Sequence, residues 1–422
     1  MPLIHLGFGR GSLSFEYDEA RYSVLAPQKQ ADTHPLSDVE IGARLDEPIE
    51  SPLLEDKVSA GDSVLIVVSD ATRASASGQV VNLLVRRLIE SGVSPADIRI
   101  IFATGIHRAV TPEEKRELLT PFIAQRIATI NHDAYDKGAH VHLGETKRGT
   151  PVEVNRALQE YTHVILTGAV GFHYFAGFTG GRKSICPGLA SARTVEATHM
   201  LALDFERGGR RAGVGTGLLE GNAVHEECEA IAEMVRPSFL INTVVDEAGL
   251  AVQVYAGDWR AAHRQACADY LENHSVEIDS RRALVIASAG GSPWDINLIQ
   301  AHKALEMAAH AAREGGDIIL LAECADGLGR ADFLKWFEEE DSRALENRLR
   351  HAYEVNGQTA WSLLVKAEKF RVHLISQLAD EDVRRMRMHP ARTLEEALAK
   401  VSDKSEAYIM PRGAALLPRT RQ

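Results

Sequence analysis

The chain has 422 residues, of which 45% are hydrophobic and 25% are charged, so it is long enough to bury a large core and to divide into two or three domains. Its formal net charge is −12 and its pI is about 5.8. Such a chain has no overall positive field that would attract phosphodiester backbones or anionic lipids, so we expect neither nucleic acid nor a membrane surface as a partner.

The amino terminus, Met1 to Arg10, lacks the basic region and the continuous apolar region of a secretory signal. No stretch of the chain reaches the roughly 18 uninterrupted apolar residues that are needed to cross a bilayer. The cysteines form no C-x-x-C pair, which argues against a disulfide framework and a thiolate zinc site; they are Cys186, Cys228, Cys267 and Cys324. We therefore expect a cytoplasmic protein.

Short apolar strand patterns alternate with helical patterns, which predicts an α/β fold with mainly parallel sheets flanked by helices. The first clear strand covers 63–68, and a polar loop leads from it into a helix over 79–90. The next strand covers 98–102. After it, Thr111-Pro112-Glu113-Glu114 combines an N-cap threonine, a proline in the first turn and a glutamate three residues after the cap, so a helix starts there.

A third strand, 163–167, runs into the glycine-rich segment 168–188, and a helix follows over about 191–203. Three loops of the same strand-to-helix type therefore carry unusual polar residues. In open α/β sheets such loops lie along one edge, where ligands bind, so residues far apart in sequence can converge there.

The pattern restarts beyond residue 275. A strand over 283–287, a Gly-Gly-Ser-Pro loop, a helix over about 297–313 and a strand over 317–321 predict a second α/β domain.

We place the first domain at 1–275 and the second at 276–404, with the active site in the cleft between them. The last strand pattern, 407–410, is a candidate for a return to the first domain, so that 405–422 would join it.

The glycine-rich segment is the most informative part of the chain. Its glycines permit a close backbone approach to a ligand, while His173, Arg182 and Lys183 supply acid/base and cationic groups. A flexible surface connection is the competing interpretation, but the many aromatic residues favour a binding loop. A phosphate-binding P-loop needs glycine directly before the lysine, and Arg182 stands there instead.

Two weaker features follow the first two strands. Asp70 and Arg73 follow strand 63–68, where an arginine could hold a carboxylate or phosphate through two hydrogen bonds. A helix-capping aspartate beside a solvated arginine is the alternative. His107 follows strand 98–102 and suits proton transfer near neutral pH, unless it is an ordinary surface histidine.

Two further features lie on helices. His199 follows the glycine-rich segment, where an imidazole could reach back as a metal ligand or could simply pack in the core. Gln300 and Lys303 stand three apart on one helix of the second domain, so they could hydrogen-bond a substrate's oxygen atoms or form a solvated face. Shared placement near one cleft favours the functional interpretation of all these residues.

Together these segments resemble the nickel-dependent lactate racemase family, whose members bind a nickel pincer nucleotide. The matching residues are S-D-x-T-R at 69–73, T-G-x-H at 104–107 and G-F-H-Y-F-A-G-F-T-G-G-R-K-S-I-x-P-G at 171–188. Thr198-His199 and the pair Gln300 and Lys303 extend the resemblance, in the family's order, from about 69 to 303. The long glycine-rich run is highly specific.

The resemblance implies a racemase or epimerase of a small 2-hydroxy acid that works by reversible hydride transfer. The implied cofactor is the nickel pincer nucleotide, pyridinium-3-thioamide-5-thiocarboxylic acid mononucleotide with Ni. Lys183 would carry it through a covalent thioamide link, His199 would ligate the nickel, and His107 and His173 would be the paired proton-transfer residues. A desolvated neutral lysine is a nucleophile, and Arg182 would help to lower its pKa.

The resemblance also implies how substrate and cofactor are held. Arg73, oriented by Asp70, would hold the substrate's carboxylate or developing alkoxide, and Gln300 and Lys303 would close the site from the second domain. Among the glycines, Gly180 and Gly181 would contact the cofactor. Cofactor-synthesis proteins are the implied partners for loading.

The substrate stays open at this point. The family's lactate enzyme has a pocket tryptophan in its second domain, for which Trp361 is the nearest candidate, and Ile299 stands where that enzyme has a tyrosine. Lactate, a longer aliphatic hydroxy acid, malate or a sugar acid could each be accepted.

Two other classes compete with this interpretation. A metal-dependent hydrolase needs three protein ligands, and a dehydrogenase needs G-x-G-x-x-G directly after a strand; the run Gly7 to Gly11 fails that spacing. A carrier that only holds the nickel nucleotide would need no pair of bases, so His107 and His173 speak against it.

Overall fold

The computed structural model describes residues 1–27, 34–401 and 405–421. The predicted domains also include 28–33, 402–404 and 422, which lie outside the described residues. The strands are β1 (Leu3–Phe8), β2 (Gly11–Glu16), β3 (Tyr22–Val24), β4 (Val64–Ser69), β5 (Ile98–Ala103), β6 (Ala128–Asn131), β7 (His140–Glu145), β8 (Pro151–Asn155), β9 (His163–Ala169), β10 (Phe172–His173), β11 (Gly177–Phe178), β12 (Phe239–Val245), β13 (Ala251–Gly257), β14 (Ser275–Ile278), β15 (Arg282–Ser288), β16 (Ala312–Leu321), β17 (Arg371–Ile375), β18 (His389–Ala391), β19 (Ala407–Met410) and β20 (Leu417–Thr420).

The α-helices are α1 (Asp38–Leu45), α2 (Ser77–Glu90), α3 (Pro112–Leu118), α4 (Pro121–Arg126), α5 (Ala157–Glu160), α6 (Ala192–Met200), α7 (Ala223–Val235), α8 (Ala261–His274), α9 (Leu298–Ala311), α10 (Ser342–His351), α11 (Val355–Lys369), α12 (Asp380–Arg385) and α13 (Leu394–Lys400). Among the described residues, none of these helices has the length and apolar character that a membrane span requires.

The chain folds into two compact units. The first unit contains residues 31–202 and 211–270, and the second contains 1–30, 203–210 and 271–422. Each unit has one six-stranded sheet, so the predicted α/β fold with two domains and mainly parallel sheets is confirmed.

The sheet of the first unit has the strand order β13-β12-β9-β4-β5-β6, and all neighbours are parallel except β12 and β13. The central strand β4 is buried from Val64 to Val68 and is therefore apolar on both faces. This is the pattern of a parallel strand that is covered on both sides of the sheet. Helix α2 packs its buried face, which includes Val81, Leu84 and Leu88, into the same core. The predicted capping box at α3 is present: Thr111 accepts from the Glu114 N–H, and Glu114 accepts from the Thr111 N–H.

The sheet of the second unit has the order β18-β17-β16-β15-β19-β3 and is parallel throughout. Its core includes Leu284, Ile286, Ile319 and Ile409, together with Leu6 from the hairpin of β1 and β2.

The two chain ends are where the structure departs from the predicted domain boundaries. β19 lies between β15 and β3, so 407–410 completes the second sheet and does not return to the first. Residues 1–27 also cluster with the second unit. The physical reason is that every residue of β19 is buried, and an apolar strand of this kind requires a neighbour on each side.

Candidate active site

The loops after three parallel strands lie along one edge of the first sheet. β4 pairs in parallel with both β5 and β9, so the segments after Ser69, Ala103 and Ala169 leave the sheet side by side. Asp70 and His107 lie in the first two of these loops, and the glycine-rich segment is the third.

Asp70 and His107 form a hydrogen-bonded pair. His107 Nδ1 lies 2.7 Å from Asp70 Oδ2, and Thr72 donates to Asp70 Oδ1 through its N–H at 3.0 Å and its hydroxyl at 2.6 Å. Burial raises the pKa of Asp70, but these hydrogen bonds outweigh it and the pKa is lowered. Asp70 is therefore a carboxylate, so His107 carries a proton on Nδ1 and presents Nε2 as a proton acceptor.

This pairing gives Asp70 a different partner from the predicted one. We expected Asp70 to orient Arg73, but its carboxylate is used by His107 and Thr72. Arg73 is exposed, and its charge contributes to lowering the pKa of Lys183. Arg73 therefore lies within electrostatic range of Lys183 in the glycine-rich segment.

Backbone contacts fix the loop that carries His107. The Thr104 hydroxyl donates to the His132 carbonyl at 2.8 Å, and the Gly105 N–H donates to the Gly188 carbonyl at 2.9 Å. Gly105 has a φ of +54°, and a Cβ there would lie 3.3 Å from the Pro187 carbonyl oxygen. The loop after β5 is thus tied directly to the end of the glycine-rich segment.

Gly180 and Gly181 pack against the protein itself. A Cβ on Gly180 would lie 2.9 Å from Asn242 Oδ1, and a Cβ on Gly181 would lie 2.6 Å from the ring of His263. The Gly181 N–H donates to Asn242 Oδ1 at 3.1 Å. The need for glycine at these two positions is therefore explained by close packing against β12 and α8.

Arg182 holds the glycine-rich segment together. Its guanidinium is buried and donates to the carbonyls of Gly180, Ala176 and Phe178 at 3.3, 2.8 and 3.1 Å. Its Nη1 also lies 3.0 Å from His263 Nε2. Arg182 is consequently a buried clamp, which the Arg-Lys dipeptide in the sequence did not distinguish from a ligand-binding cation.

Lys183 is partly buried next to this clamp. Loss of water around the ammonium group, followed by the charges of Arg182 and Arg73, lowers its pKa from the usual value of 10.5 to about 7. A large fraction of the amine is therefore neutral and nucleophilic near neutral pH. This is the state that covalent attachment through nitrogen requires.

Phe175 gathers three of the predicted residues around one ring. Lys183 Nζ lies 5.5 Å from the ring centroid, and the rings of His173 and His199 lie 4.4 and 5.0 Å away, both edge-on. We call His173, Phe175, Lys183 and His199 the Phe175 cluster. The sequence marked Phe175 only as one of several aromatic residues in the segment.

His173 is oriented by backbone groups. Its Nδ1 accepts from the N–H of Ala176 at 3.2 Å and, more weakly, from that of Phe175 at 3.5 Å. Tyr174 stacks on its ring. The neutral ring therefore carries its proton on Nε2, which is the opposite of the arrangement in His107.

His199 lies in the last turn of α6 and is buried. Burial, followed by the charge of Lys183, lowers its pKa to about 3, so the imidazole is neutral at physiological pH. A neutral imidazole beside a partly neutral lysine fits a tethered nickel nucleotide, because both groups must be unprotonated to bind. Among the described residues, no group of three or more His, Cys, Asp or Glu side chains is placed to hold a metal ion without such a nucleotide.

In the second unit, Gln300 and Lys303 share one face of α9 as predicted. Lys303 Nζ donates to Gln300 Oε1 at 2.8 Å, and the Asn297 side chain caps the helix by accepting from the Gln300 N–H at 3.0 Å. Trp361, the sequence's nearest candidate for the pocket tryptophan, is 3% exposed and buried in α11. Trp294, which is 37% exposed in the loop after β15, is the tryptophan at the carboxyl edge of that sheet.

Comparison with known proteins identifies the family. Residues 8–209 match the lactate racemase N-terminal domain, and residues 278–416 match the lactate racemase C-terminal domain. The chain is 29% identical to the lactate racemase of Thermoanaerobacterium thermosaccharolyticum, over all of both chains. It is 30% identical to the lactate racemase of Lactiplantibacillus plantarum, over 99% of this chain and all of the relative.

Solved structures agree with the sequence matches. The lactate racemase apoprotein of T. thermosaccharolyticum superimposes with a TM-score of 0.90 at 27% identity, covering 99% of this chain and all of the other. A crystal structure of a Thermotoga maritima protein shares the fold, with a TM-score of 0.67 at 20% identity over 92% of this chain and 99% of the other. The chain therefore belongs to the lactate racemase family of isomerases.

Proposed function

We propose that this protein interconverts the stereoisomers of a small 2-hydroxy acid, with lactate as the first substrate to test. The relatives named lactate racemase at full coverage support this choice of substrate. The observation that carries the proposal is the convergence, at one sheet edge, of the Asp70–His107 pair with the Phe175 cluster.

Lys183 and His199 are the residues that would hold a nickel pincer nucleotide. Lys183 offers an amine whose pKa is near neutrality, and His199 offers a buried neutral imidazole whose ring lies edge-on to Phe175. The chemistry that this group supplies when bound is reversible acceptance of the C2 hydride of the substrate. Every other task falls to side chains of the chain.

His107 is arranged to act first as the base. Its Nε2 can take the substrate's hydroxyl proton, and the Asp70 carboxylate at Nδ1 stabilises the imidazolium that results. His173 starts from the opposite tautomer, with its proton on Nε2. To protonate the product oxygen it must become a cation, and it then has to give up the contact between Nδ1 and the Ala176 N–H.

The remaining residues would bind the substrate's oxygen atoms. We assign Arg73 to the carboxylate or the developing alkoxide, because an exposed guanidinium can make two parallel hydrogen bonds. Gln300 and Lys303 are assigned to the same oxygens from the second unit. The free thiols of the buried cysteines suit the reducing cytosol, where cofactor-synthesis proteins would load Lys183.

An assay of optical activity tests the proposal. Protein purified from a host that makes the nucleotide is incubated with enantiopure lactate, malate, longer aliphatic hydroxy acids and sugar acids, and we expect at least one, lactate first, to become a mixture of isomers. His107→Ala and His173→Ala should each lower the rate by about 10²- to 10⁴-fold while keeping the nucleotide on Lys183. Loaded wild-type protein that leaves the whole panel enantiopure would contradict the proposal and would indicate a carrier.

A further inference from the structure

A short hairpin follows the helix that carries His199. Leu203 pairs with Arg210 as an antiparallel bridge, and the Asp204 N–H donates to the Gly209 carbonyl at 2.9 Å. The residues that flank this hairpin are also paired, because the Arg211 N–H donates to the Ala202 carbonyl at 3.0 Å. We call residues 203–210 the arm; its base begins four residues after His199.

The arm belongs to a different unit from the chain on either side of it. Residues 31–202 and 211–270 form the first unit, whereas 203–210 cluster with the second. The arm is thus continuous through the backbone with α6, yet its packing partners are elsewhere. The contacts that hold the arm therefore bear, through the backbone, on the carboxyl end of α6.

Arg210 anchors the arm to α9. Its Nη1 lies 2.7 Å from Glu306 Oε1, and its Nη2 lies 3.3 Å from Glu306 Oε2. Glu306 is 3% exposed, and Lys366 is its second cationic partner. A two-point contact with a buried carboxylate fixes position much more firmly than an exposed ion pair does.

The turn of the arm is held at two further points. The Gly209 N–H donates to Glu346 Oε2 at 2.8 Å, and Glu346 is itself buried and paired with Arg343 at 2.9 Å. Gly208 has a φ of +85°, and the guanidinium of Arg343 occupies the space that a Cβ there would fill. The arm is therefore fitted closely to the second unit along its length.

We propose that Arg210 and Glu306 are positioning residues: they hold the arm on α9 and so, through the backbone, fix the carboxyl end of α6, where His199 lies. Glu306 follows Gln300 and Lys303 on α9 at the same spacing of three residues, and Arg210 ends the arm that begins just after α6. The roles of His199, Gln300 and Lys303 rest on the proposed function, whereas the contact between Arg210 and Glu306 does not.

The chain offers a matched pair of variants. Arg210→Gln removes the arm's contact with Glu306 and leaves Glu306 paired with Lys366, so the carboxylate keeps a cationic partner and the unit can fold. Lys366→Gln removes the other cation from the same carboxylate and leaves the arm attached. Arg210→Lys keeps the charge but loses the two-point contact.

Hydrogen–deuterium exchange of the full chain tests the proposal. We expect Arg210→Gln to speed exchange at 196–202 by about tenfold, Arg210→Lys to give intermediate rates, and Lys366→Gln to speed exchange in α11 with 196–202 at wild-type rates. In loaded protein, Arg210→Gln should lower kcat with little change in KM for the substrate.

The proposal is overturned if Arg210→Gln leaves exchange at 196–202 unchanged, or if Lys366→Gln changes it equally. In the latter case the buried cluster only stabilises its own unit. A loaded wild-type protein without racemase activity would contradict the proposed function. Hydrogen–deuterium exchange at 196–202 in the variants would still decide the role of the arm.

Discussion

The Asp70–His107 pair and the Phe175 cluster lie at the same edge of one sheet, but the first stabilises a charged group and the second favours neutral groups. Around Asp70, hydrogen-bond donors outweigh the effect of burial and keep the carboxylate ionised. Around Phe175, loss of water on burial, followed by neighbouring cations, lowers the pKa of Lys183 and of His199. In the proposed function, charge is retained where a proton would move, and neutral donor atoms are present where a covalent link and a metal bond would form.

The largest expected effect concerns the ionisation of Lys183. In protein made without the nucleotide, the rate of acetylation of Lys183 is measured by mass spectrometry at a series of pH values, and its midpoint should lie near pH 7. This corresponds to an ionisation constant more than a thousandfold larger than that of an ordinary lysine. Arg73→Gln should move the midpoint upward, because it removes a neighbouring positive charge. An acetylation midpoint near pH 10 in the wild type would show that Lys183 is charged like an ordinary lysine, and the Phe175 cluster would then not differ from the Asp70–His107 pair in this respect.

The second prediction concerns the carboxylate that orients His107. Asp70→Asn should lower kcat by about 100-fold or more, because the amide can neither fix the Nδ1–H tautomer nor stabilise the imidazolium. Thr72→Val, which removes one donor to Asp70 and leaves His107 in place, should cost less than about tenfold. Equal losses in the two variants would show that Asp70 acts only through the structure of its loop.

The smallest effect is one of stability. Gly181→Ala should destabilise the protein by about 2–4 kcal/mol, since the new Cβ meets the His263 ring and the residue has a φ of +53°. Gly221, with a φ of +72°, has no neighbour within 4 Å, so Gly221→Ala should cost only about 1 kcal/mol. Denaturant unfolding of both variants measures the difference, and matching losses would mean that packing at Gly181 is unimportant.

Much of the fold could be predicted from local patterns. Strands over 98–102, 163–167 and 407–410 are present with small changes at their ends, and the capping box at Thr111 is formed. These elements depend on apolar periodicity and capping chemistry, which are encoded in adjacent residues.

Long-range partners could not be predicted in the same way. The second-sheet location of β19, the pairing of Asp70 with His107 and the attachment of the arm to Glu306 each join residues far apart in the chain. The partners of Gly180 and Gly181, which are Asn242 and His263, are likewise distant in the chain, and the predicted contact of these glycines with the cofactor stays a prediction.

Lys183 is the proposed attachment point of the nucleotide, and a measurement of intact mass tests this attachment most directly. Protein from a host that makes the nucleotide should carry an added mass that is absent from Lys183→Ala and retained in Lys147→Ala, a variant of an exposed lysine outside the site. An unmodified mass in wild-type protein that has full racemase activity would show that the reaction does not depend on a nucleotide attached to Lys183.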